Sequence, residues 1–334
     1  MLSTDIQLQL FQVIKRGLPP HASMVDDVAK VLEVSIDSAY RRIRGEKPIT
    51  LEEVYKLCIH YSLSLDTLFN QPSGGFLFKG KFFEPENFRF DEYLKSYAYQ
   101  MKFISGFDNR KLFILCKDIP VHHHFHFKEI AAFKHYFWMR TIMNAPDYIN
   151  NKFSLAEYPG ELYELGRTAL GFYNKTDSVE LWNFETIIST LRQIEYYQDS
   201  NVFARTDEIP VIYDGLEKLL VHIERQADLG FKFDVGDEQK QLSKFGLYFN
   251  EVILGDNSVT AVLDKVKMVF IPHSVFNFMS TDNIHFCENN YKHIQNLMKK
   301  STLISDVSER ERSRFFNYLR NRIATRKEKS GRTD

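Results

Sequence analysis

Four cations fall within seven positions of the chain, Arg41, Arg42, Arg44 and Lys47. Guanidinium groups fork onto phosphate oxygens or onto the O6/N7 edge of guanine, and an ammonium serves as a point charge. The chemistry open to this cluster is therefore recognition of a polyanion. A second cluster is the run Val121-His122-His123-His124-Phe125-His126-Phe127. On an extended strand His122, His124 and His126 share a face and offer imidazole nitrogens to a metal. No cysteine or paired acid stands beside them, so packing histidines are the favoured reading and no metal is assigned. Glu161, Glu164, Glu185 and Glu195 occupy ordinary helical positions rather than a carboxylate pair. The patterns GxxxxGK[ST], GxGxxG, GxSxG and HExxH are absent, as is the Ala-Gly pair that a self-cleaving Ser–Lys domain would need. No catalytic residue, enzyme activity or cofactor is expected.

The elements that must present the arginines are short helices. Residues 5–16 show Leu8, Phe11 and Ile14 at helical spacing. Ser23 is placed to cap 24–32, with Val25, Val28, Ala29 and Leu32 inward, and Ser35 to cap 36–44, which stops at Gly45. Thr50 and Glu53 stand in capping-box spacing ahead of 51–61, and Ser64 opens a last turn. Ala29 supplies the small residue at which two helices cross, and Leu32, Val34, Ala39 and Ile43 supply apolar locks. That is the requirement of a helix-turn-helix, whose second helix enters the major groove with its first residues toward base edges. On that geometry Ile36, Asp37, Ser38 and Arg41 read bases, while Ser35, Arg42, Arg44 and Lys47 hold phosphates.

Residues 24–69 resemble the phage-repressor-like helix-turn-helix of the XRE or Cro type. The family's A-x-x-L-G-V-S and R-x-x-x-G patterns are present as Ala29, Leu32, Val34, Ser35 and Arg41, Gly45. Its further helix and short turn match Thr50-Leu51-Glu52-Glu53 through Leu65-Asp66-Thr67-Leu68-Phe69. The turn glycine of the pattern is Glu33 here, and a non-glycine residue in a left-handed turn costs roughly 1 kcal/mol. The resemblance covers the N-terminal domain alone. It implies a transcription regulator that binds double-stranded DNA, with recognition helices of a homodimer about 34 Å apart. An unidentified small-molecule effector is a further candidate partner. The alternative is an adaptor whose helical N-terminal domain docks a protein instead of DNA.

The chain has 334 residues, with 43 Lys+Arg against 44 Asp+Glu, and 14% aromatics. Near-neutral charge excludes a protein that coats nucleic acid indiscriminately, so any contact must be local. No run approaches the roughly 18 apolar residues of a membrane span, and no signal-peptide core stands at the N-terminus. Cys58, Cys116 and Cys287 are isolated, which suits a reducing compartment; no membrane partner and a cytoplasmic location are expected.

Asn70-Gln71-Pro72-Ser73-Gly74-Gly75 marks a linker. The expected division is 1–70 for the DNA-binding domain, 71–80 for the linker and 81–334 for an α+β sensor or dimerisation region. In that region helices are expected at 90–103, 127–142 and 290–299, with two or three more between 161 and 225. A last basic helix begins near Asp306 and Glu309. Strands are expected at 111–116, 245–254, 258–263 and 267–279, with Gly255-Asp256-Asn257 as a hairpin turn. The fold class is thus an all-α helix-turn-helix domain followed by a larger, mainly helical α+β domain with an antiparallel hairpin region near 245–279. Phe133, Phe137, Trp138, Phe172, Tyr173, Trp182 and Phe184 are core residues or the walls of a pocket for an apolar or planar effector.

Overall fold

The computed structural model describes residues 2–18, 23–61, 63, 65, 76–80, 87–251 and 257–330. Two compact units comprise Met1–Leu77 and Phe78–Asp334. Residues 71–75 of the expected linker, Ser64 at the expected last turn of the first domain, and the turn residues Gly255 and Asp256 lie outside the described residues.

The first unit is helical among its described residues: α1 (Leu2–Gly17), α2 (Met24–Leu32), α3 (Ile36–Ile43) and α4 (Leu51–His60). Leu10, Phe11 and Ile14 of α1 meet Val28, Ala29, Leu32, Ala39 and Leu57 in a small core. The inward face of α1 is thus carried by Leu10 beside Phe11 and Ile14, and Leu8 is only half-buried. Continuing the same period one turn back places Gln7 inward as well.

The second unit is built on one mixed sheet. At its centre run three parallel strands, β2 (Arg110–Cys116), β3 (Asp177–Trp182) and β5 (Ser243–Phe249), in the spatial order β2-β3-β5. Beyond β2 come β6 (Ser258–Leu263), β7 (Val266–Pro272), β8 (Phe278–Thr281) and the short β1 (Lys79–Gly80), all antiparallel. Beyond β5, β4 (Phe231–Lys232) and β9 (Thr302–Leu303) each take part of its free edge. Lys79 and Gly80, expected in the linker, are therefore a sheet edge.

Helices clothe both faces, as parallel strands require. On β2, Leu112, Ile114 and Cys116 enter the main core, while Phe113 and Leu115 enter a smaller one with Val179, Leu181 and Ile294. Ile294 lies on α11 (Ile284–Lys299). The main core is supplied by α5 (Phe90–Ser105), α6 (Lys128–Phe137), α8 (Gly160–Asn174), α9 (Ile188–Asp199), α10 (Glu208–Leu229) and α12 (Glu309–Ser330). The short α7 (Pro146–Asn150) lies between α6 and α8. The basic helix α12 buries Phe315, Phe316, Leu319 and Ile323. Arg312, Arg320 and Lys327 pair with Asp228, Glu224 and Asp214 of the adjacent α10. Its charge is largely matched within its own unit.

Three expectations change. β5 and β6 do not form a hairpin: β3 and β2 lie between them in the sheet. The hairpin is β6–β7, closed at Asp264-Lys265 with Leu263 opposite Val266 and Asp264 at φ 47°. The expected strand 267–279 divides at Pro272, which ends β7 and pairs with Phe278 at the start of β8, because proline has no amide to carry the ladder on. Finally, β3 lies inside the span expected to be helical. No helix among the described residues is long and apolar enough to cross a membrane.

Candidate functional site

The geometry around the arginine cluster begins with two caps. Ser23 Oγ accepts from the Asp26 amide and opens α2. The helix stops at Glu33, whose φ of 56° and ψ of 42° are left-handed, with the Val34 amide returning to the Ala29 carbonyl at 3.0 Å. This is the position at which the resemblance places a glycine. Glu33 projects into solvent 3.6 Å from the Lys56 ammonium. Ser35 then caps α3, its Oγ accepting from the Ser38 amide at 3.3 Å. Three residues separate the two helices.

α3 turns Ala39 and Arg42 inward and presents Ile36 (60% exposed), Asp37, Tyr40 (46%), Arg41 and, just past its end, Arg44 outward. Arg44 lies over the Tyr40 ring, 5.6 Å from its centroid, and pairs with Glu46 at 3.2 Å. Ser35 and Lys47 are exposed beside them. Six of the eight expected contact residues therefore share open surface around α3.

Arg42 does not join them. It is 5% exposed, and its Nε and Nη2 reach the Glu53 carboxylate at 3.0 and 2.6 Å. Nη1 donates to Ser38 Oγ at 2.5 Å and to the Ser38 carbonyl at 3.2 Å. The expected phosphate contact is thus a buried strut. Position 42 follows Ala39 by three residues on the inward stripe, and Glu53 waits there to match its charge. Ser38 is consequently half-buried, its oxygen committed to Arg42 and only its O–H left to donate outward. The Arg42 guanidinium holds the Glu53 carboxyl below its ordinary range. Glu53 also completes the capping box with Thr50, so one carboxylate starts α4 and fastens α3.

Gln7 is a residue the sequence reading missed. Its Nε2 donates to the carbonyls of Arg42 (2.7 Å) and Lys47 (2.8 Å), and its Oε1 accepts from the Ile49 amide (3.2 Å). The end of α3 and the loop after it are fixed to α1 by one amide. The signal was a polar residue on the apolar stripe of α1.

The histidine run is a 3₁₀ segment, Val121–His126, not a strand. At three residues per turn, alternate histidines do not share a face. His122 and His123 instead converge on Glu180 of β3, with nitrogen–oxygen distances of 3.4 and 3.0 Å. Tyr173 O–H donates to Glu180 Oε1 at 2.5 Å and Trp182 Nε1 to Oε2 at 2.7 Å. Burial alone would raise the Glu180 carboxyl, but the imidazoles of His123 and His122 draw it well below the ordinary value. Burial pushes His122 down to about 3, and its Nδ1 lies 3.0 Å from the Tyr97 hydroxyl. The ligand atoms of His122, His123 and Glu180 fall within 4.8 Å of one another, a spacing a divalent ion could bridge. Both carboxylate oxygens already accept protein donors, so the network also closes on itself. Of the seven aromatics proposed as core or pocket walls, Phe133, Tyr173 and Trp182 are fully buried core, and Phe137 and Trp138 border a cavity.

Models of protein families, curated proteins and solved structures were all compared with the chain, and none matches.

Proposed function

We propose that the chain is a sequence-specific DNA-binding transcription regulator whose first unit carries a helix-turn-helix. The observation that carries the reading is the open face of α3. It presents Ile36, Asp37, Arg41 and Arg44 while Ala39 and Arg42 lock its other side to α2 and α4. The left-handed residue at Glu33 and the Ser35 cap set the turn between the helices, as the motif requires. In this reading Ser35, Arg44 and Lys47 hold phosphates, Ile36, Asp37 and Arg41 meet base edges, and Ser38 has a hydroxyl proton to offer. Arg42 positions the helix and touches no phosphate.

Residues 1–70 hold eight Lys/Arg and nine Asp/Glu, a poor balance for one copy on DNA. A homodimer is the remedy. On α4, Leu51, Tyr55 and Ile59 form an exposed stripe at four-residue spacing that a second copy could cover. The same stripe is what favours the adaptor reading, in which another protein occupies it.

A mobility-shift assay on genomic fragments across a salt series separates the two. DNA readout requires log affinity to fall linearly with log salt, by about 0.9 per phosphate neutralised. Arg41→Ala should cost about 1–3 kcal/mol of discrimination between sequences. Arg44→Ala should weaken all sequences alike and reduce the salt slope by about one. Unchanged affinity in both variants would overturn the assignment.

A further inference from the structure

The second unit contains a cavity of about 510 Å³ between α5, the 3₁₀ histidine segment and strands β2, β6 and β7. Its size is that of a site for a drug-sized molecule, well beyond a packing defect. The walls are dominated by aromatic and aliphatic side chains, among them Tyr93, Tyr97, Phe137, Trp138 and Phe276.

Charge narrows the occupant. Among the described residues no lysine or arginine lines the cavity, and the one acid that does, Asp118, is paired with the Lys134 ammonium at 3.3 Å. An anionic occupant would find no counter-charge and a cation no free carboxylate, so the lining suits an uncharged molecule.

The second observation is His124. It lines the cavity, is 2% exposed and lies 5.4 Å from the Trp138 ring. Neither of its ring nitrogens has a hydrogen-bond partner among the described residues. A neutral imidazole carries one N–H donor and one acceptor, and burial holds His124 neutral. Buried donors and acceptors are almost always paired in native proteins, so two orphaned nitrogens on a residue that lines the cavity make it the candidate partner for an occupant's polar group. His122, the other histidine of the segment in the lining, is already partnered by Tyr97 and Glu180.

We propose that this cavity is a binding site for an uncharged, largely apolar aromatic molecule whose single polar group, a hydroxyl or N–H, is taken by His124. The aromatic walls supply the stacking surface, and the imidazole fixes orientation because, among the described residues, its nitrogens are the buried polar atoms of the lining left without a partner.

The test is a fluorescence titration of the full chain with N-phenyl-1-naphthylamine, an uncharged aromatic amine with one N–H. It contains no DNA, so its outcome is independent of the regulator reading. Saturable, blue-shifted emission at one probe per chain is expected. His124→Phe keeps a ring against Trp138 and removes both nitrogens, and should weaken the probe about three- to tenfold. Ser96→Trp, at a half-buried wall position on α5, should abolish binding while circular dichroism stays native; this variant carries the test if His124→Phe fails to fold. Absence of saturable binding overturns the proposal, as does binding that survives Ser96→Trp. Equal affinity for the anion 1-anilinonaphthalene-8-sulfonate overturns it too, because the site would then not select against charge.

Discussion

Arg42→Met tests whether the second arginine of the cluster serves the fold or the ligand. The side chains of Arg42 and Glu53 are 6% and 16% exposed, and the contact is bidentate. Removing one partner of a buried ion pair costs about 3–5 kcal/mol because the other charge is stranded. Glu53 retains some solvent and its bond from the Thr50 amide, which reduces the expected loss to about 2–3 kcal/mol. Exposed Arg41, by contrast, should change stability by less than about 0.5 kcal/mol on truncation. Both tryptophans, Trp138 and Trp182, belong to the second unit, so their fluorescence does not report on this one. Hydrogen exchange in peptides covering 24–60 does, and Arg42→Met should speed it by one to two orders of magnitude. The pH dependence has a definite sign. Glu53 is depressed in the fold, so its contribution is complete above about pH 4.3 and is lost as pH falls through the lower folded value. Wild-type protein should therefore loosen in 24–60 within that acid window, and Arg42→Met should show little further change there. If Arg42→Met left exchange unaltered yet reduced the salt slope of DNA binding by one, the guanidinium would be a phosphate ligand and this reasoning would fail.

Other perturbations follow from single contacts. Glu33→Gly relieves the left-handed conformation and should stabilise the first unit by up to about 1 kcal/mol, measured by the same exchange; slower opening is expected, and faster opening would show that the Lys56 pair outweighs the strain. Gly166→Ala on α8 would place a Cβ 2.0 Å from the Phe125 ring. Overpacking should exceed the helix-propensity gain by about 2 kcal/mol and lower Tm by roughly 4–8 °C, whereas an unchanged Tm would mean that Phe125 swings aside freely. Glu180→Gln leaves one acceptor oxygen where Tyr173 and Trp182 each had one, and should cost about 2–4 kcal/mol in urea unfolding followed by the combined emission of Trp138 and Trp182. Wild-type stability would show that the carboxylate is not needed as a double acceptor.

What the sequence disclosed is what local chemistry determines. Ser23, Ser35 and the Thr50–Glu53 box cap the helices they were expected to cap, because a cap is satisfied within three residues. Ile36, Asp37 and Arg41 emerge on open surface because the period of α3 sends them there, and Ser35, Arg44 and Lys47 lie exposed in the segments that flank it. Arg42 was misjudged because its partner lies eleven positions away and a cluster of like charges invites one role for all members. The histidine run was read in steps of two because it alternates with no polar solvent-facing residue that would reveal a tighter coil. β3 was invisible for a related reason: nearly every side chain in it is buried, so it shows no alternation to mark it as a strand. The false hairpin had a good turn sequence but ignored that β5 pairs in parallel with β3, a partner that no adjacent turn can supply.

The Gln7 amide has a practical consequence for anyone wishing to move the first unit into another polypeptide. Trimming at residue 24, where the sequence resemblance starts, would discard the side chain that serves three main-chain groups around residues 42–49. The shortened piece would keep the Ser35 and Thr50 caps but lose the Ser23 cap and the Leu10, Phe11 and Ile14 packing of α1, and the end of α3 would be free to drift. A portable version of this module must start upstream of Gln7, and the family pattern alone would never have set the scissors there.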